Sequence, residues 1–274
     1  MKAVFSIFPK FYKHLNPQEL AALVNDVGLD TTHVVVRNGY WVTPDGLADE
    51  MPGFVKALRS EGLDIKYVTS DFLSDELIDD PTPLSVMADC GLSHFRLSHF
   101  RSKDPNVHNA LAEARSQLER LLPLCEKHNL KCMYQVHHGT LVPSASAAFH
   151  LVHDLPTEWI GIELDPGNQL RDGYERWDFA APLLGSHFAA LGVKDVSLIQ
   201  GRNTEGPDKG WKHEWATLYE GINDWHACLR ALAGIGFDGY FEFMPFYDTD
   251  RPGVMTRKLQ KEVSWLRSIY DDVK

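Results

Sequence analysis

Positive charge, cysteine and long apolar runs are all scarce in this chain. Lys and Arg number 27 against 38 Asp and Glu, a formal net charge of -11, and no run of basic residues breaks the acidic background. A nucleic-acid partner needs a basic surface that displaces counterions, so nucleic-acid binding is excluded as an expectation. The four cysteines, Cys90, Cys125, Cys132 and Cys228, are widely spaced. They match neither a zinc pattern nor a small secreted disulfide framework, and free thiols in a reducing compartment follow. No apolar run approaches the ~20 residues that cross a bilayer. The opening MKAVFSIF is too short an apolar stretch for a signal peptide and carries no cleavage pattern. These absences predict a soluble cytoplasmic protein with no membrane partner. Internal repeats and low-complexity stretches are absent too.

What is present is alternation. Short apolar runs ending in polar residues recur through the 274 residues, separated by stretches of helical composition, and 44% of the chain is hydrophobic. Eight strands are predicted: Ala3 to Phe8, Thr32 to Arg37, Asp64 to Thr69, Ser93 to Ser98, Met133 to His138, Ile160 to Asp165, Ala189 to Asp195 and Tyr240 to Met244. Asn16 and Pro17 open the first helix, and Thr43-Pro44-Asp45 starts the second. Leu111, Ala114, Leu118, Leu121, Leu122 and Cys125 recur at helical spacing through a long helix from about Asn106 to His128. About 250 residues is typical of one closed α/β barrel, so the chain reads as a single (β/α)8 TIM-barrel domain over residues 1–274. In such barrels chemistry sits at the carboxyl ends of the strands. One connection, at about 196–220, is too long for a bare link; with Trp211, His213 and Trp215 in it, it reads as a loop closing over the mouth.

Several motifs in order carry a resemblance. GLD precedes the second strand, LDPGN follows the sixth, VKD follows the seventh, LYEGIND ends the long connection and FDGYFEF forms the eighth. Their order and spacing resemble the xylose-isomerase-like TIM-barrel superfamily over nearly the whole chain. That group includes sugar and sugar-phosphate isomerases and epimerases, hydroxypyruvate isomerase, inosose dehydratase and endonuclease IV. The resemblance implies a small sugar or sugar derivative as substrate, and it alone suggests a homodimer. It also implies a divalent metal (Mn, Mg, Co or Zn) held by Glu, Asp, His and Glu after strands five to eight. Here those positions are Gln135, Asp165, Gly192 and Met244, so only the Asp survives, and the His expected three residues beyond it is Asn168. Losing two carboxylates and an imidazole weakens a site for a hard cation.

Two arrangements stay open. Residues two apart on a strand share a face, so Glu163, Asp165, His137 and Glu242 could build a displaced metal site. Alternatively Glu163 and Glu242 pair with Lys194 and Arg37 in a buried polar network. The candidate catalytic residues are Glu242 or His137 as base and Lys194 as electrophile, with Arg37 or a displaced metal as the other electrophiles open, for proton transfer next to a carbonyl. The candidate substrate contacts are Arg37, His99, Gln135, His138, Asn168 and Trp215; the candidate metal ligands are Asp165 and Glu163. Each has a plain structural reading as well: Arg37 in an ion pair with Asp71 or Glu242, Lys194 in one with a carboxylate, Trp215 as rim cover. His94, at the opposite end of strand four, and His213 read as structural. The function predicted is an isomerase or epimerase with an atypical metal site; the alternative is a catalytically lapsed barrel that binds a sugar or polyol or serves as a partner subunit.

Overall fold

The computed structural model describes residues 1–100, 104–200 and 211–274. Its strands are β1 (Val4–Ile7), β2 (Thr31–Thr32), β3 (Val34–Val36), β4 (Tyr67–Ser70), β5 (His94–Arg96), β6 (Lys131–Gln135), β7 (Ile160–Leu164), β8 (Phe188–Val193), β9 (Asp195–Gln200), β10 (Trp211–Ala216) and β11 (Tyr240–Phe243). Nine of them form one parallel sheet in the order β2-β1-β11-β8-β7-β6-β5-β4-β3. The two edges of that order, β2 and β3, are consecutive pieces of one chain segment. The sheet therefore curls back on itself as a nearly closed TIM barrel whose second strand is broken at a single residue, His33. The His33 N–H donates to the Ile7 carbonyl at 3.1 Å and keeps the two edges together.

Helices alternate with the strands and cover them, which is why strands such as Ile160–Leu164 are buried on both faces and read as unbroken apolar runs. Asn16 caps the helix Pro17–Val27 as its sequence predicts: its side chain accepts from the Glu19 N–H at 2.9 Å, and Glu19 accepts from the Asn16 N–H at 2.8 Å. Asn106 caps Val107–His128, whose buried face includes Ala114, Leu118, Leu121, Leu122 and Cys125. The second helix begins later than Thr43-Pro44-Asp45 suggests, at Leu47. Glu50 accepts from both the N–H and the hydroxyl of Thr43, at 2.6 and 2.9 Å, and folds residues 43–46 into a turn ahead of the helix.

The expected loop at 196–220 is corrected in part. Strands β9 and β10 pair antiparallel, from Asp195 opposite Ala216 to Gln200 opposite Trp211, as a ribbon separate from the barrel sheet. Residues 201–210 of that connection lie outside the described residues. The four cysteines are free, three of them buried. No described helix is long and apolar enough to cross a membrane.

Candidate active site

Inside the barrel, inward side chains stack in successive layers along its axis. The bottom layer is apolar: Tyr67, Met133 and Ala190, packed against Tyr240. His94 lies beside Tyr240 at this end, as its sequence position implies. Above it sits a wholly buried polar layer of Ser6, His33, Thr69, Arg96, Glu163 and Glu242. Ser6 stands level with Glu242, and Glu242 with Gly192, across adjacent strands. His33, at the strand break, turns its ring inward. Nδ1 is 2.8 Å from Thr69 Oγ1, Nε2 is 3.1 Å from Glu242 Oε2, and the ring stacks on Tyr67. Although His33 is close, neither Glu242 oxygen has a well-angled hydrogen-bond partner among the described residues. Tyr67 OH donates to Glu163 Oε2 at 3.4 Å, and Arg96 Nη1 stands 4.0 Å from Glu163 Oε1.

Burial sets the charges in this layer. It lowers the His33 pKa to about 3, so the imidazole is neutral. Burial, then the neighbouring Glu242 carboxyl, pushes Glu163 up to about 8. Burial likewise raises Glu242 well above the ordinary carboxylate range. Both glutamates therefore keep their protons at neutral pH, the usual response of a carboxyl with no water to ionise into.

The next layer lies at the strand ends and is built around Asp165, which is fully buried. Its Oδ2 receives Lys194 Nζ at 2.9 Å, Gln135 Nε2 at 2.7 Å and Asn168 Nδ2 at 2.9 Å; its Oδ1 receives the Asn168 N–H at 3.1 Å. Gln135 in turn accepts from Arg96 Nη1 at 2.8 Å, which ties this layer to the one below. Gly192 leaves room for the carboxylate: a Cβ there would stand 3.0 Å from Asp165 Cγ. Met244 contributes only a sulfur, 3.8 Å from Gln135 Nε2.

Above Asp165 the mouth is lined by rings and cations. Lys194 Nζ lies 4.8 Å from the ring centres of both Trp215 and Phe246. His138, with Nδ1 2.9 Å from Asn168 Oδ1, lies ring to ring with His137 at 4.4 Å, and His137 with His99 at 4.6 Å. These three histidines line a cavity of about 620 Å³ with Gly139, Thr140 and Leu141. His137 donates its Nδ1–H to the His138 carbonyl at 2.8 Å, which leaves the Nε2 lone pair free. Burial lowers the pKa of His137, and burial, then the neighbouring His137 ring, lowers that of His99 to about 3, so both imidazoles are neutral. Arg37 pairs with Asp71 at 2.6 Å. His213 Nε2 bonds the Leu170 carbonyl at 3.2 Å, a packing role. A somewhat larger cavity, about 780 Å³, lies among Ala48, Pro52, Val55 and Arg59 on the outer helices and includes none of the site residues named above.

The polar network expected from sequence is present with other partners. Lys194 and Arg37 do not serve Glu163 and Glu242: they go to Asp165 and Asp71, because they sit at the mouth while the glutamates sit a layer lower. Arg96, Tyr67 and His33 take their place, and the sequence reading gave none of these three a role. The signal was period two: Arg96 lies between His94 and Ser98, and His33 precedes Val35 and Arg37 on one strand face. Lys10 was missed because it follows β1 in a short turn rather than ending a strand.

The residues present do not fit a divalent metal. No group of three or more His, Cys, Asp or Glu is placed to hold one among the described residues. Asp165 is already neutralised by an ammonium, both glutamates keep their protons, and His137 stands apart in the mouth. The displaced Glu163, Asp165, His137 and Glu242 cluster is not assembled.

The barrel, with a buried carboxylate–ammonium pair and a row of histidines at the carboxyl ends of its strands, defines an α/β barrel with its candidate site at the usual face. The chain belongs to the xylose isomerase-like TIM barrel family, whose model matches residues 84–269. No curated protein matches it in sequence. Among solved structures it is similar to a xylose isomerase domain protein from Planctomyces limnophilus, at 14% identity and TM-score 0.70, with 99% of this chain and 98% of that one covered. It is also similar to a D-psicose 3-epimerase crystallised in the presence of D-fructose, at 12% identity and TM-score 0.73, covering 97% and 99%. A third is mannonate dehydratase from Streptococcus suis serotype2, at 14% identity and TM-score 0.70, covering 99% and 93%. At these identities the likeness is one of fold.

Proposed function

We propose that the protein isomerises or epimerises a small sugar or sugar derivative by proton transfer next to a carbonyl, with the Lys194 ammonium as electrophile. The observation that carries this reading is the Lys194–Asp165 pair at 2.9 Å, held under the Trp215 and Phe246 rings with neutral His137 within electrostatic reach across the mouth. A sugar face stacks on such rings, and a fixed cation stabilises the oxyanion that forms when the neighbouring carbon loses its proton. His137 Nε2 takes that proton and delivers it to the adjacent carbon, which interconverts aldose and ketose, or His137 keeps it while an acid on the opposite face delivers its own proton to the same carbon, which inverts it. The likeness to a D-psicose 3-epimerase and to mannonate dehydratase supports the substrate class. Glu242, expected as a base, is enclosed one layer down and acts on a mouth-bound substrate only through its neighbours.

The test is a panel of aldoses and ketoses, free and as acids or phosphates, incubated in D2O and followed by NMR. Deuterium enters the carbon next to the carbonyl. Lys194→Met slows that exchange about 100-fold or more, the scale of one oxyanion donor, and His137→Gln slows it at least about 100-fold. Wild-type protein that exchanges no substrate overturns the proposal.

One observation favours the second reading, a barrel that binds without turnover. Asp165, Lys194, Gln135 and Asn168 satisfy one another and leave no group waiting for a substrate. Saturable quenching of tryptophan fluorescence by a sugar that is never converted or exchanged decides for this reading.

A further inference from the structure

Three cations, Lys10, Arg37 and Lys194, converge on the mouth of this acidic chain, Arg96 reaches toward them from the layer below, and two aromatic rings gather the four. Arg37 Cζ and Arg96 Cζ lie 5.3 and 5.0 Å from the Phe8 ring centre. Lys10 Nζ and Lys194 Nζ each lie 4.8 Å from the Phe246 ring centre. Among the described residues their carboxylate partners fall short in number. Asp165 is spent on Lys194 and Asp71 on Arg37. The carboxylate nearest Arg96, Glu163, is 4.0 Å away and holds its proton at neutral pH. Lys10 has one anionic neighbour acting on it among the described residues, Asp71, which Arg37 already holds. Burial and the charges of Arg37, Lys194 and Arg96 make its ammonium hold its proton less tightly than an ordinary lysine. The Arg37 Nε–H is also buried without an acceptor among the described residues.

Like charges crowded in a half-buried site repel, and the repulsion is relieved when an anion arrives. The surplus here amounts to the Lys10 and Arg96 charges plus one free guanidinium donor. We infer that the mouth between Lys10, Arg37 and Arg96 binds an anionic group, a carboxylate or a phosphate, so that the substrate is a sugar acid or sugar phosphate and not a neutral sugar. The inference rests on the reading of the strand-end face as a sugar site. Within it the aromatic ledge of Trp215 and Phe246 receives the sugar, and the cations set back toward β1 and β3 receive its charged end.

The test is binding, followed by calorimetry on the intact protein with four probes: inorganic phosphate, D-gluconate, D-glucose 6-phosphate and D-glucose. An anionic sugar binds at least tenfold more tightly than D-glucose, and its advantage shrinks at ionic strength of about 0.5 M, where exposed charge is screened. Lys10→Met removes most of that advantage, and Lys10→Arg, which keeps the charge, retains it. Gluconate ahead of the phosphate ester assigns a carboxylate; the reverse order assigns a phosphate. D-glucose binding as tightly as both anionic sugars overturns the inference, as does an advantage that Lys10→Met leaves intact. Inorganic phosphate bound in a Lys10-dependent way, with no sugar converted, upholds the anion site while the isomerase reading fails. Conversion of neutral sugars alone does the opposite.

Discussion

Asp165 carries more of this site than any other residue, and its replacement is correspondingly costly. Asp165→Asn leaves the Lys194 ammonium buried and unpaired and loosens Gln135 and Asn168. Removing one partner of a buried pair costs about 3–5 kcal/mol, which urea denaturation will read directly; adding Lys194→Met to Asp165→Asn recovers part of it. A loss under about 1 kcal/mol, the scale of surface pairs, contradicts the pairing. The buried acids give a second prediction. Glu163 has a folded pKa of about 8 against an ordinary 4.5, so between these values the folded state holds a proton that the unfolded chain has lost. Stability then falls as pH rises through that window, by up to about 1.4 kcal/mol per pH unit for a fully separated group. His33, at about 3 against 6.5, binds fewer protons folded than unfolded, so it makes stability rise with pH below 6.5 and opposes the acids there. Above 6.5 its contribution is complete. Glu163 and Glu262, also pushed to about 8 by burial, are then left to act. The melting temperature therefore declines from pH 6.5 to 8, and Glu163→Gln flattens the decline. A wild-type protein equally stable at both pH values rules out the protonated interior. At this scale the sequence was half readable. Strand-end position brought Asp165, Lys194, Gln135, His137 and His138 together on paper, but which cation meets which carboxylate depends on layer, and layer needs register.

Among the elements, β8 and the broken second strand decide whether the site exists. Gly192 stands in β8 level with Glu242 of β11 and beneath the Asp165 carboxylate. A methyl group there would meet Asp165 at 3.0 Å, and Asp165 is tied in place by four donors. Gly192→Ala should cost about 1–3 kcal/mol as overpacking and displace Lys194 from its partner, giving a lower urea midpoint and weaker ligand binding together. An unchanged midpoint would mean that the carboxylate yields freely. The barrel strands were legible because parallel strands covered by helices are written as apolar runs, and the caps at Asn16 and Asn106 because their chemistry is local. The β9–β10 ribbon was not. WKHEWA is polar enough to pass for a loop, its Trp211 is exposed, and its pairing with DVSLIQ is a contact across a turn that composition does not mark. The break at His33 was hidden for a related reason: TTHVVVR reads as one strand, and only closure of the sheet demands that it serve two neighbours in two pieces.

The whole barrel joins a family fold to a charge balance of its own. A divalent ion at the ends of strands five to eight needs several anionic or neutral oxygen and nitrogen donors around an open position. Here the one carboxylate in place, Asp165, faces an ammonium at 2.9 Å, with an amide, a glycine and a thioether at the other positions. Bringing in Mn2+ would mean expelling Lys194 into a wall of Trp215 and Phe246 or burying two like charges side by side. A ligand at 100 times its dissociation constant adds about 2.7 kcal/mol to stability, a shift of a few degrees in a protein of this size. The expected outcome is that Mn2+, Mg2+, Co2+ and Zn2+ leave the melting temperature of the wild type unchanged and that EDTA changes neither stability nor any activity found. A rise of several degrees with one of these ions, lost in Asp165→Asn, would show that Lys194 gives way and that the cation at this site is exchangeable. Without that rise, the ammonium is the cation of the site. In the reaction proposed above, the charge at the oxyanion position is then set by the position of Lys194 in the fold and not by metal supply, and activity should follow pH and ionic strength instead.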